Sequence, residues 1–179
     1  MAQIKLEDLP HYVYEDYERW EGRWELVHGI PYAMSPSPIY NHQRISGQIM
    51  LHLDTVLKEC KECQAVSAVD WIIAEDTVVC PDVMVICDKV EGKYPTKPPV
   101  MILEILSPST TKKDRNLKYQ LYESQGVKYY ILVDLLNTQA DVYELKDHYV
   151  KVTQTSQNSI HFDLNKCQID FDFSQIWKI

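Results

Sequence analysis

Val100-Met101-Ile102-Leu103-Glu104-Ile105-Leu106 is an unbroken apolar run with a single acid inside it. No alternation marks a solvent-facing side, so a strand here must be covered on both faces, as the central strands of α/β sheets are. A carboxylate in such a strand is costly unless a cation or hydrogen-bond donors compensate it. A second apolar stretch, Val78-Val79-Cys80-Pro81-Asp82, also carries one acid. Two such strands point to a shared divalent cation held by carboxylate oxygens.

The surroundings of the run define the rest of the layout. Downstream, Thr111 reads as an N-cap with Asp114 three positions on, and Gly126 supplies a stop, which predicts a helix over residues 112–125. An apolar strand over 129–133 follows, and a strand, helix, strand order favours a right-handed parallel crossover. Upstream, Ile45, Ile49, Leu53, Val56, Leu57 and Cys60 recur at spacings of three and four, predicting an amphipathic helix over 40–61. Further strands are predicted over 65–73, 77–87 and 99–106. Residues 24–27 and 30–34 read as a hairpin closed by His28-Gly29. An N-terminal arm with a short helix over 12–20 precedes it, and short antiparallel strands are expected over 141–145 and 149–153. The expected architecture is one α/β domain over 1–179, a central mixed β-sheet flanked by helices, with additional antiparallel strands.

Charge bears on the choice of partner. The net charge of −8 counts against indiscriminate nucleic-acid binding, because affinity for a phosphate backbone comes from clustered Lys and Arg. The densest basic cluster, Lys112, Lys113, Arg115 and Lys118, nevertheless follows Glu104 closely. The chain opens without the apolar stretch of a signal peptide, and no apolar run approaches the ~20 residues of a membrane span, so a cytoplasmic location is expected. Five cysteines form an odd set in which a disulfide framework is not expected. Cys60-Lys61-Glu62-Cys63 has the spacing of a metal or redox motif, but the sequence shows no second pair of similar form. Cys80 and Cys87 read as core fillers.

Trp24-Glu25-Leu26-Val27-His28-Gly29, Met34-Ser35-Pro36-Ser37-Pro38, His42, Pro81-Asp82, Glu104-Ile105-Leu106-Ser107-Pro108-Ser109-Thr110 and the stretch from Asp114 through Lys118 to Tyr122 together resemble the Uma2 family of endonucleases. This family is a branch of the PD-(D/E)xK, restriction endonuclease-like superfamily. Leu106 stands where that superfamily usually has a Lys, and the resemblance implies that the Lys has moved to the following helix, as Lys118. It further implies a Mg²⁺ (or Mn²⁺)-dependent endonuclease that hydrolyses phosphodiester bonds in DNA. Asp82, Glu104 and Glu25 would bind metal, and Lys118 would complete the catalytic set. His42 resembles a family position that would contact the substrate; the basic cluster of Lys112, Lys113 and Arg115 lies beside the site and would face it too, and because one small site offers little surface for a duplex, a homodimer is expected.

Local geometry supports part of this. Glu104 and Leu106 share one strand face, while Leu103 and Ile105 share the other. In a regular α-helix Leu117 and Leu121 would face the core, with Asp114, Lys118 and Gln125 along a polar edge. Plainer readings compete: Asp114 and Lys118 also have the spacing of a surface ion pair, worth a few tenths of a kcal/mol. Two rival functions follow. One is a nucleic-acid or metal-binding module that cleaves slowly or not at all. The other is an oligomeric scaffold whose 12 Tyr and 4 Trp serve an interface.

Overall fold

The computed structural model describes residues 10–34, 39–108 and 110–178. Residues 35–38 and Ser109, on which parts of the family resemblance fall, lie outside the described residues. Along the chain, α1 (Tyr14–Tyr17), β1 (Trp24–Val27), β2 (Ile30–Ala33) and α2 (Tyr40–Val56) precede four short strands. These are β3 (Gln64–Ser67), β4 (Trp71–Ala74), β5 (Thr77–Val79) and β6 (Val83–Ile86). The apolar run becomes β7 (Met101–Leu106), buried at every residue. Then come α3 (Thr111–Lys113), a π-helical segment (Asp114–Lys118) and α4 (Tyr119–Ser124). The chain continues with β8 (Tyr129–Asp134), β9 (Gln139–Leu145), β10 (Tyr149–Thr155), β11 (Ser159–Asp163) and β12 (Gln168–Asp172).

Six strands form the main sheet in the order β10-β9-β8-β7-β6-β3, with β7 and β8 parallel and the other neighbours antiparallel. A second, antiparallel sheet has the order β2-β1-β5-β4, and β11 pairs with β12 alone. The two faces of β7 bury different partners. Leu103 and Ile105 pack with Ile45, Ile49 and Leu53 of α2 and with Phe162 and Phe171 of the β11–β12 hairpin. Ile102 and Leu106 pack with Trp71, Tyr122 and Tyr130. Each large apolar side chain so buried contributes ~1.5–3 kcal/mol. By strand alternation Glu104 belongs to the second face, which carries the aromatic layer.

Several expectations need correction. The predicted strands 65–73 and 77–87 are each broken in two, and their halves enter different sheets. The first breaks at Ala68, whose φ of 51° ends regular pairing. The second breaks at Cys80-Pro81-Asp82, where Pro81 has no N–H to donate. The crossings bond to one another, the Ala68 N–H donating to the Asp82 carbonyl at 3.2 Å. Asp82 therefore sits where the chain passes from one sheet to the other. The predicted helix 40–61 ends its regular α-helix at Val56, and the short arm helix shrinks to Tyr14–Tyr17.

Thr111 does not cap the predicted helix 112–125. Thr110 takes the N-cap position without a side-chain cap bond, and the Thr111 hydroxyl donates to the Ser107 carbonyl at 2.6 Å. Cys60 is bonded to Cys167 and Cys63 to Cys87, against the expectation of no disulfides, while Cys80 is free and buried. Cys60 and Cys167 lie 107 positions apart, beyond the reach of any local sequence pattern. Among the described residues, no helix is long and apolar enough to cross a membrane.

Candidate active site

The pairing of β6 with β7 sets Val83 opposite Leu103, so the next residue pair outward is Asp82 and Glu104. Two contacts lock them together. An Asp82 carboxylate oxygen, Oδ2, accepts the Ile105 N–H at 2.8 Å, and the Asp82 N–H points to Glu104 Oε2 at 3.4 Å. Both side chains line one cavity of 860 Å³, together with His42, Lys112, Lys113, Asp114 and Lys118. The two acids inferred from separate apolar runs are thus neighbours facing one space.

Lys118 reaches this point from the helix. Its ammonium lies 2.8 Å from Glu104 Oε1, 2.8 Å from Glu25 Oε1 and 3.8 Å from Asp114 Oδ1. Glu104 Oε1 also accepts the Tyr122 hydroxyl at 2.8 Å. The wide π turn changes the helix phase, and single π turns of this kind often sit at functional sites. Asp114 and Lys118 consequently face inward and are buried, whereas Leu117, expected in the core, is only half-buried. Neither the polar-edge placement nor the surface ion pair describes this lysine.

Four carboxylates, from Glu25, Asp82, Glu104 and Asp114, share this region with the ammonium groups of Lys113 and Lys118. Burial pushes the Glu104 carboxyl up to about 8; Lys118 opposes the rise, and Asp114, Asp82 and Glu25 add to it. Burial also raises Asp114, again against Lys118. Although burial works against ionisation of Glu25, Lys118 and Lys113 hold it below the usual carboxylate range. Burial tends to lower Lys118, but Glu104 and Glu25 raise it well above the ordinary lysine value.

The donor set fits a hard divalent cation. Asp114 Oδ1 is buried and has no hydrogen-bond partner among the described residues. A buried oxygen left in that state ordinarily has an unseen partner. Dehydrated oxygen donors with an excess of negative charge are what Mg²⁺ or Mn²⁺ binds. Asp82, Glu104 and Asp114 are the acids that fit this role.

The remaining candidates divide. His42, in the first turn of α2, places Nε2 3.3 Å from Asp82 Oδ2, while its buried Nδ1 has no hydrogen-bond partner among the described residues. Lys112 is exposed at the cavity wall. Lys113 is ion-paired with Glu25 Oε2. Arg115 turns to Asp141 at 3.2 Å and Asp134 at 3.9 Å and does not line the cavity, so the expectation that it faces substrate is corrected.

Glu25 is fully buried and does not line the cavity; its Oε1 meets Lys118 and the Cys80 N–H and its Oε2 meets Lys113, so here it acts as a counter-ion to the lysines. Sequence reading missed Asp114 and Tyr122 as site residues. Their spacing of four from Lys118 was the visible signal, but the contacts, Asp114 with Lys118 and Tyr122 with Glu104, form only when the helix meets β7.

A model of the Uma2 family, described as "Putative restriction endonuclease", matches residues 14–165. This chain belongs to the Uma2 family. An uncharacterized protein of Synechocystis sp. is 29% identical over 175 residues, covering 92% of this chain and 90% of that protein. The crystal structure of a "putative nuclease belonging to DUF820" from Anabaena variabilis superposes with a TM-score of 0.74 at 14% identity, covering 93% of this chain and 97% of that one. At that identity the likeness speaks for the fold alone. The expected α/β, restriction endonuclease-like class is the one observed.

Proposed function

We propose that this protein is a metal-dependent endonuclease acting on phosphodiester bonds in DNA. The observation that carries the proposal is the convergence of Asp82, Glu104, Asp114 and the buried Lys118 ammonium on one open cavity. Asp82, Glu104 and Asp114 would hold Mg²⁺ or Mn²⁺, which when bound supplies Lewis-acid polarisation of the phosphate and a lowered pKa for the attacking water.

The chain's own groups do the rest. Lys118, whose pKa its acidic neighbours raise well above the ordinary lysine value against the effect of burial, donates a hydrogen bond that orients the attacking water and offsets charge developing on the phosphate. Glu25 and Tyr122 fix the positions of Lys118 and Glu104, and Lys112 meets substrate phosphates at the cavity wall. His42 orients Asp82. The family's description, "Putative restriction endonuclease", supports DNA as the substrate.

A scaffold would use Glu104 only as a buried counter-ion. Glu104 does pair with Lys118, but it also lines the cavity, which a purely structural ion pair does not require. The deciding experiment incubates the protein with supercoiled, linear, single-stranded and branched DNA in Mg²⁺, Mn²⁺ or chelator. Metal-dependent nicking, lost in Asp82→Asn, is expected. Metal binding without cleavage of any of the four would leave the inactive binding module, and neither binding nor cleavage would leave the scaffold.

A further inference from the structure

Cys60 and Cys63 flank a tight turn after α2, in which the Cys63 N–H donates to the Cys60 carbonyl at 3.3 Å. Cys87 immediately follows β6, at the opposite end of that strand from Asp82. Cys167 stands in the turn of the β11–β12 hairpin, where its carbonyl accepts the Leu164 N–H at 2.8 Å. Two distant segments thus bring three sulfurs, those of Cys60, Cys63 and Cys167, to one spot, and a third segment adds Cys87 through its contact with Cys63. The structure bonds them in pairs, but the pairs are not separate: Cys63 Sγ lies 3.9 Å from Cys167 Sγ. The Sγ atoms of Cys60, Cys63 and Cys167 all lie within 4.8 Å of one another.

We propose that these four cysteines form a second metal site, a tetrahedral four-thiolate centre for Zn²⁺. A Zn–S bond of ~2.3 Å places tetrahedral sulfurs ~3.8 Å apart, close to the spacing found between the two pairs. Two independent disulfides would have no reason to meet at a point, whereas a metal requires it. Cys63 and Cys87 also face each other across β3 and β6 with Cα atoms 3.9 Å apart, closer than the ~4.4–6.8 Å that disulfide bridges span. A turn holding two cysteines three positions apart is a familiar half of a structural zinc site, and Cys87 with Cys167 supplies the other half.

The zinc form is the reduced one: a dithiol reductant opens both disulfides, taking up their two oxidising equivalents as its own disulfides, and Zn²⁺ then replaces the four thiol protons and leaves a centre of net negative charge. Lys61, Lys89 and Lys166 line the shallow pocket beside Cys63 and Cys87, where they outnumber Glu62 and Asp88 and answer that charge. The centre ties the β11–β12 hairpin to the end of α2 and the edge of the main sheet, on the side away from the carboxylates.

The test is the zinc content of the full chain, purified under reducing conditions without added metal and measured by plasma emission. One zinc per chain is expected, unchanged in Asp82→Asn and Cys80→Ser, and released by a mercurial thiol reagent. Exchange with Co²⁺ should give the thiolate-to-metal absorption of a tetrahedral sulfur site. Cys167→Ser should lower zinc retention at least tenfold, as expected for loss of one of four ligands, and Cys167→His should partly restore it. Should these variants fail to fold, the wild-type stoichiometry and cobalt spectrum decide alone. A zinc-free protein that takes up no Zn²⁺ on titration, or an intact mass lower by four hydrogens with thiols blocked at lysis, would overturn the proposal in favour of free thiols or two disulfides.

Discussion

Lys118 and Arg115 lie three residues apart on the same π-helical segment, and each sits among carboxylates, yet the two clusters are opposites. Arg115 is 36% exposed, and its partner Asp141 is also bound by Lys151 at 2.7 Å and Gln154 at 2.6 Å. Those donors, with Arg115, hold Asp141 below the usual carboxylate range against the effect of burial. Lys118 is 4% exposed among acids exposed by 3% or less, and there the acids outnumber the lysines. Opposite charges ~4 Å apart attract by ~1 kcal/mol in water but ~4 kcal/mol in a partly dehydrated setting. A satisfied surface cluster needs nothing more, whereas the buried one is left short of positive charge. The same residue types therefore make a satisfied clamp in one place and a buried, acid-rich cluster in the other.

Cleavage rate separates the two most widely. Lys118→Ala should slow DNA nicking by about a hundredfold or more, the usual effect of losing a positioned electrostatic or acid–base group. Lys118→Arg should recover little, because a planar fork does not replace a compact ammonium among crowded carboxylates. Arg115→Ala should cleave at the wild-type rate, and equal losses in both variants would abolish the distinction. Glu104→Gln should be as slow as Lys118→Ala and should also lose the rise in melting temperature that Mn²⁺ gives the wild type.

Stability should divide them next. Removing Lys118 strands buried carboxylates, a change that costs about 3–5 kcal/mol in urea denaturation. Arg115→Ala should cost about 1 kcal/mol or less, since its pairs are partly exposed. A Lys118 variant as stable as the Arg115 variant would return Lys118 to the surface-pair reading.

The pH dependence should differ in sign. Glu104 has its folded-state pKa raised from 4.5 to about 8, so between those values the folded state binds more protons than the unfolded chain. Metal-free stability should therefore fall as pH rises through that window, and the stabilisation by Mn²⁺ should grow. Glu104→Gln should flatten both trends. Asp141, with its pKa depressed, should act in the other direction and more weakly: its contribution is present above the ordinary carboxylate pKa of 3.8 and is lost as pH falls further. Asp141→Asn should remove only that acid-side loss, seen by thermal denaturation at low pH.

Much of the candidate site was legible in the chain. Glu104 announced itself by standing alone in an apolar run, and Asp82 by following another, because an ionisable group without apolar purpose is conspicuous there. Lys118 was found through the family resemblance, but its surroundings were not. A regular helix would have left it at an edge, and only the π turn carries it inward with Asp114. Glu25 was picked out for the right neighbourhood, but its lysine partners were not legible. Its oxygens meet two lysines that lie 88 and 93 positions further along the chain.

Sequence alone determined the features that depend on near neighbours: the buried strand β7, the amphipathic α2, the β7–helix–β8 crossover and the family. Spacing along a chain reports which face of a strand or helix is apolar, and these elements follow from that. Only the tertiary structure decided that 65–73 and 77–87 each divide between two sheets, that Arg115 turns away from the cavity, and that Cys60, Cys63, Cys87 and Cys167 meet. In each case the outcome depends on which distant surface an element packs against. Burial and the count of neighbouring charges, which set whether an acid binds a lysine or a metal, come into being only once those surfaces have met.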